Sequence, residues 1–195
     1  MADIDGVQRR PGGRNAAIRE RVLDVVRSAL ESGDFELLDI DELAQLASVH
    51  RTTLYRRWTN RDGLAADLLV QLTPIDTPLP NTGSLRTDLR ATIERVARTT
   101  ETSFVGALLR LVASSTDDRL IEAARNYWAS AIAAAARTIE AAQAGGAVRP
   151  DVRADIIVEF AIAPIYLRTL VTHQAVDDEL IDTIVRTILD GVEAE

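Results

Sequence analysis

Apolar residues recur at helical intervals along nearly the whole chain, and no segment alternates convincingly in the manner of a half-buried strand. From about Asn15 the pattern runs Ile18, Val22, Val25, Val26, Ala29 and Leu30, until Gly33 ends it. Such spacing restricts the chain to helix packed on helix. It predicts an all-α fold of about nine helices.

The helices fall into two groups. After the first, Asp39 is suited to N-cap a short second helix, with Glu42 placed to complete a capping box. "ASVH" interrupts it, Leu54, Tyr55 and Trp58 mark a compact third, and Asn60 caps a fourth carrying Leu64, Leu68, Leu69 and Leu72. Helices cannot continue through "TPIDTPLPNTGS", residues 73–84, because proline removes a donor and collides with the preceding turn. The expected organisation is therefore a flexible arm over 1–14, a four-helix unit over 15–72 and a second helical unit over 73–195.

Beyond the prolines, Leu85, Leu89, Ile93, Val96 and Ala97 line one helix face, and "FVGALLRLVASS" is apolar enough to require burial. A long helix follows Asp117 or Asp118 and stops at Gly145 and Gly146. Two aliphatic-rich helices close the chain, at about 152–172 and 178–192. Pro164 falls inside the first of these, where it should kink or restart the helix. Terminal helices hydrophobic on more than one face imply a partner, most simply a two-fold mate.

Composition narrows the function. With 195 residues, 47% of them hydrophobic, the chain can bury one sizeable core or two small ones. It lacks cysteine, so disulfides, thiolate metal sites and cysteine nucleophiles are excluded, in keeping with a cytoplasmic protein. The opening "MADIDGVQRRPGGRN" has no apolar core and does not read as a signal peptide. No apolar run approaches the roughly 20 residues that span a bilayer, so no membrane partner is expected.

The net charge of −8 argues against a polyanionic partner until its distribution is considered. Residues 71–195 hold 18 acids against 12 arginines, whereas Arg9, Arg10, Arg14 and Arg19 form an acid-free cluster, echoed by Arg51, Arg56, Arg57 and Arg61. Two short helices joined by a tight turn, the second bearing cations and hydroxyls, match a helix-turn-helix whose second helix enters the DNA major groove. Arg51, near the start of that helix, suits the O6 and N7 edge of guanine, and Thr52 a thymine methyl or a phosphate. Thr53, Tyr55 and Arg57 offer donors for phosphate oxygens, with Arg56 adding to the cluster's charge. Arg61 adds a cation at the start of the fourth helix, and Arg14 stands beside the first. Trp58 is better suited to anchoring the core.

The span from about Asn15 to Leu72 resembles the DNA-binding domain of the TetR family of transcriptional regulators, through "RTTLYRRWTNRDGL" and its spacing of turn, tyrosine, second aromatic, cap and leucine. The resemblance implies that Arg51, Thr52, Thr53, Tyr55, Arg57 and Arg61 take DNA-contact positions. Two departures stand out: Ser48 occupies the family's turn glycine, and His50 the usual capping serine. "AGGAVRPDVRADIIVEFAIAPIYLRTLV" is similar to a subset of the family, and implies a homodimer in which the last two helices form a four-helix bundle with their mates.

A sensor of this kind needs an apolar pocket, for which Phe104, Leu108, Leu111, Tyr127, Trp128 and Phe160 are candidates, each equally suited to ordinary core packing. No catalytic residue, metal site or cofactor motif is expected. His50 and His173 are far apart in sequence, and His173 with Asp177 and Asp178 reads best as a solvated helix junction. The favoured expectation is a dimeric repressor released from a palindromic duplex operator by an unknown small molecule. A small-molecule-binding protein with a vestigial DNA head, or an all-helical enzyme, remain alternatives.

Overall fold

The computed structural model describes residues 13–72 and 80–192, leaving out the side chains of Arg14, Leu72 and Ser103. The expected arm, with Arg9 and Arg10, and residues 73–79 of the proline-rich segment lie outside the described residues. Nine α-helices are described: α1 (Gly13–Ser32), α2 (Ile40–Leu46), α3 (Arg51–Arg57), α4 (Arg61–Leu72), α5 (Leu85–Thr100), α6 (Ser103–Ser114), α7 (Asp118–Ala144), α8 (Ala154–Tyr166) and α9 (Asp178–Val192).

The helix ends follow from local chemistry. Gly33, with φ of 82°, takes the chain out of α1. Asp39 accepts from the Glu42 N–H at 2.8 Å while Glu42 accepts from the Asp39 N–H at 2.7 Å, a complete capping box for α2. Asn60 accepts from the Gly63 N–H at 2.8 Å to cap α4, and Asp117 accepts from the Arg119 and Leu120 N–H groups to cap α7.

Two apolar clusters organise the helices. The first holds Val22, Leu23 and Val26 of α1, Leu43 of α2, Leu54 of α3 and Leu64 and Leu68 of α4. It continues without a break into Phe104 and Leu108 of α6 and Leu120 and Ala124 of α7. The floor of the head formed by α1–α4 is thus supplied by two helices from the second half of the chain. The second cluster joins α5, the later part of α7, α8 and α9 through Leu89, Ile93, Ile139, Ile157, Ile165 and Ile188.

Pro164 does not end α8. The helix runs on to Tyr166 and then widens into a π-helical turn over Leu167–Thr172, closing at His173 in the left-handed region with φ of 51°.

The two terminal helices differ from one another. Phe160, Leu167 and Val171 are 68%, 53% and 67% exposed, so α8 and its extension do carry apolar residues away from the core. In α9, by contrast, Ile181, Ile184, Val185, Ile188, Leu189 and Val192 are all buried within the chain. Its outward residues, Thr183, Arg186, Thr187 and Asp190, are polar. The expectation of a second apolar face therefore holds for α8 and not for α9, whose aliphatics all fall on a single stripe.

Candidate nucleic-acid interface and interior cavity

Helix α3 has two unlike sides. Leu54 and the following Trp58 are buried, while Arg51, Thr52, Tyr55, Arg56 and Arg57 face outward and Thr53 is half-buried. Seven residues cannot hold a helix by propensity alone, so tertiary anchors must do it. His50 serves as the N-cap: its Nδ1 lies 3.4 Å from the Thr52 backbone nitrogen and 2.9 Å from Thr52 Oγ1. An imidazole thus does what a serine hydroxyl would. Ser48 takes the left-handed conformation, with φ of 52°, in the turn where glycine would be unstrained.

Asp67 of α4 is the hub behind the exposed face. Arg19 of α1 donates to both its carboxylate oxygens, at 2.9 Å each, and the Trp58 indole N–H donates at 3.1 Å. Arg57 lies 3.9 Å away as an ion pair, its guanidinium 5.2 Å from the centre of the Trp58 ring. One acid therefore fixes α1, the end of α3 and α4 together. A single acid within an apolar helical stripe makes no motif in the sequence. Its helical phase beside Leu64 and Leu68 was the available signal.

Arg61 opens α4, where the sequence puts it, and part of its guanidinium is engaged with the protein itself. Its Nη1 donates to the backbone carbonyls of Phe35, Glu36 and Leu38, stapling α4 to the loop between α1 and α2. These carbonyls lie in the loop past the last turn of α1, and one guanidinium reaches several of them at once. Arg14 sits in the first turn of α1. Arg51 is 68% exposed along its side chain, with Asp41 of α2 at 3.6 Å.

Between α5, α6, α7 and α8 lies a cavity of about 260 Å³. Phe104, Leu108, Tyr127 and Trp128 line it, four of the six residues the sequence nominates. Leu111 instead packs into the core shared with the head, and Phe160 points to solvent. Helical phase explains the second: Val158, Ile162 and Tyr166 face inward at four-residue steps, and Phe160 lies about half a turn from them. The Trp128 ring makes edge contacts with Tyr127 and Tyr166, at 5.2 and 5.3 Å between centroids. Leu69 of α4 completes one wall, two residues from Asp67.

Residues 79–188 match the family model described as tetracyclin repressor-like, C-terminal domain. The chain belongs to the TetR family. As a TetR-family chain it is a helix-turn-helix transcriptional regulator of the all-α class, in a family whose members bind DNA and are not enzymes. Two curated HTH-type regulators match nearly its full length. The HTH-type transcriptional regulator AqdR of Rhodococcus erythropolis is 29% identical over 186 residues, covering 90% of each chain. The uncharacterized HTH-type transcriptional regulator YdeS of Bacillus subtilis (strain 168) is 26% identical, covering 95% of this chain and 92% of its own. Among solved structures, the TetR family transcription regulator SCO0332 superposes with a TM-score of 0.68 at 28% identity, covering 90% of this chain and 98% of its own.

For this TetR chain the enzyme alternative is set aside by family membership. Among the described residues no group of three or more His, Asp or Glu side chains could hold a metal ion, and no helix is long and apolar enough to cross a membrane.

Proposed function

We propose that the chain is a homodimeric repressor that reads a palindromic operator with α3 and leaves it when a small molecule enters the interior cavity. The observation that carries this reading is the place of α4 between the two sites. Leu69 lines the cavity, and Asp67 on the same helix holds Arg57 and Trp58 at the end of α3. A ligand that displaces Leu69 moves the support of the reading helix. Its effect on DNA is bounded by how much better it binds the released conformation.

On DNA, Arg51 reads base edges, Thr52 and Thr53 touch bases or phosphates, and Tyr55, Arg56 and Arg57 fix register on phosphates, with Arg14 adding a cation from α1. Arg61 contributes by holding the head together, because its Nη1 is already engaged with three carbonyls. Two heads of a dimer would meet half-sites about 34–36 Å apart, or a multiple of that. The mate packs on the exposed stripe of Phe160, Leu167 and Val171, with the polar outer face of α9 alongside. Selection from a random duplex library, followed by anisotropy titrations over a range of salt, tests the reading. Recovery of a palindrome bound with a steep salt slope supports it, and indifference to every duplex overturns it.

A further inference from the structure

The cavity is chemically lopsided. Thr92, Arg95 and Thr99 occur at three- and four-residue steps on α5, so one stripe of that helix supplies a polar wall. The facing walls from α6, α7 and α8 are aliphatic or aromatic. Among the described residues no Asp or Glu lines the space, and Arg95 is its only charged side chain.

Donors outnumber acceptors on these walls. Thr92 is 5% exposed and its Oγ1 has no hydrogen-bond partner, an orphan that native interiors rarely tolerate. The Arg95 guanidinium makes no hydrogen bond or ion pair with the described residues. Nor do the Tyr127 and Tyr166 hydroxyls. Burial raises both phenols, with the neighbouring Tyr127 adding to the effect on Tyr166, so both keep their protons as donors. The Thr99 hydroxyl is already spent, donating to the Arg95 carbonyl at 2.8 Å. An unpaired cation on an apolar cavity favours an anion, and the free donors favour one rich in acceptor oxygens.

We propose that this cavity takes a compact hydrophobic carboxylate, its acid group on Arg95 and its apolar body against Tyr127, Trp128 and Tyr166. The inference rests on the cavity being the effector site proposed above. A volume of about 260 Å³ lies near the lower end for ligand sites, which favours a fused ring or short chain over a long acyl tail.

The experiment is calorimetric titration of the full chain, without DNA, using 2-naphthoate, its primary amide and 2-naphthylmethylamine. Charge-assisted hydrogen bonding predicts that the acid binds about 10–100-fold tighter than the amide, and that the amine binds least. Arg95→Gln brings the acid down to the level of the amide and leaves amide affinity in place, with circular dichroism melting checking the fold. Arg95→Lys retains part of the preference. Equal binding of acid and amide by the native chain, a preference that survives Arg95→Gln, or binding of none of the probes overturns the proposal. The same acid is then added to the chain on its selected duplex. Acid-selective binding that leaves duplex affinity unchanged supports the cavity assignment and overturns the effector reading, which separates the two failures.

Discussion

Asn60, the N-cap of α4, donates through Nδ2 to Asp117, the N-cap of α7, at 2.7 Å. Each residue anchors its own helix and the two then hold each other, close to where Ser115 donates to Asp62. The pair links the start of a head helix to the start of the longest helix in the body.

Replacing Asn60 with alanine removes a cap and this bond together, with an expected cost of about 1–2 kcal/mol in chemical denaturation. A double-mutant cycle with Asp117→Ala should return a coupling of roughly 1 kcal/mol. Strict additivity would show that the contact contributes nothing.

Stability should fall in acid through Asp67. Burial works to raise its carboxyl, but the hydrogen bonds and charge of Arg19, the Trp58 indole and the charge of Arg57 outweigh that and hold it below the ordinary range. A depressed folded-state value means the contribution is present in full above about pH 4, and is lost as pH falls through the lowered value. Melting temperature should therefore drop more steeply below pH 4 in the native chain than in Asp67→Asn. Parallel curves would count against the hub.

Roles on DNA should separate by substitution. Arg51→Ala should relax base preference at one position of each half-site, at about 1–3 kcal/mol, whereas Arg56→Ala should weaken all duplexes alike and reduce the salt slope by about 1 per head. Arg61→Ala should instead lower the melting temperature, since three carbonyls lose their donor. Anisotropy and thermal melts on the same three proteins would expose any exchange of these outcomes.

Ser48 offers a gain. Ser48→Gly relieves a left-handed non-glycine residue, offset by the greater freedom of glycine in the unfolded chain, and should stabilise the head by about 0.5–1 kcal/mol. Loss of stability in urea titrations would mean that the serine is making up for its conformation in some other way.

The dimer reading turns on α8. Phe160→Glu with Leu167→Glu should give monomers by sedimentation velocity and weaken operator binding, because each charge would face its symmetry mate. A dimer that survives both changes would place the interface elsewhere.

Much of this architecture is legible in periodicity and punctuation. Asp39 with Glu42, Asn60, Asp117 and Gly145 mark helix ends because capping is local chemistry, decided within four residues. What eludes a linear reading is phase and distance. Phe160 and Val158 are two residues apart yet face opposite ways, and Arg61 finds its carbonyls 23 to 26 residues earlier in the chain. An arginine in a basic run looks the same whether it meets phosphate or backbone, since both are acceptors and only the fold decides which is near.

The apolar floor beneath α1 and α4, completed by Phe104, Leu108, Leu120 and Ala124, also bears on how such a protein can change over time. A chimera that grafts this head onto a foreign body would leave that floor bare or mismatched. Exchange of whole halves between such proteins should therefore cost stability, whereas point changes within one chain leave the floor intact.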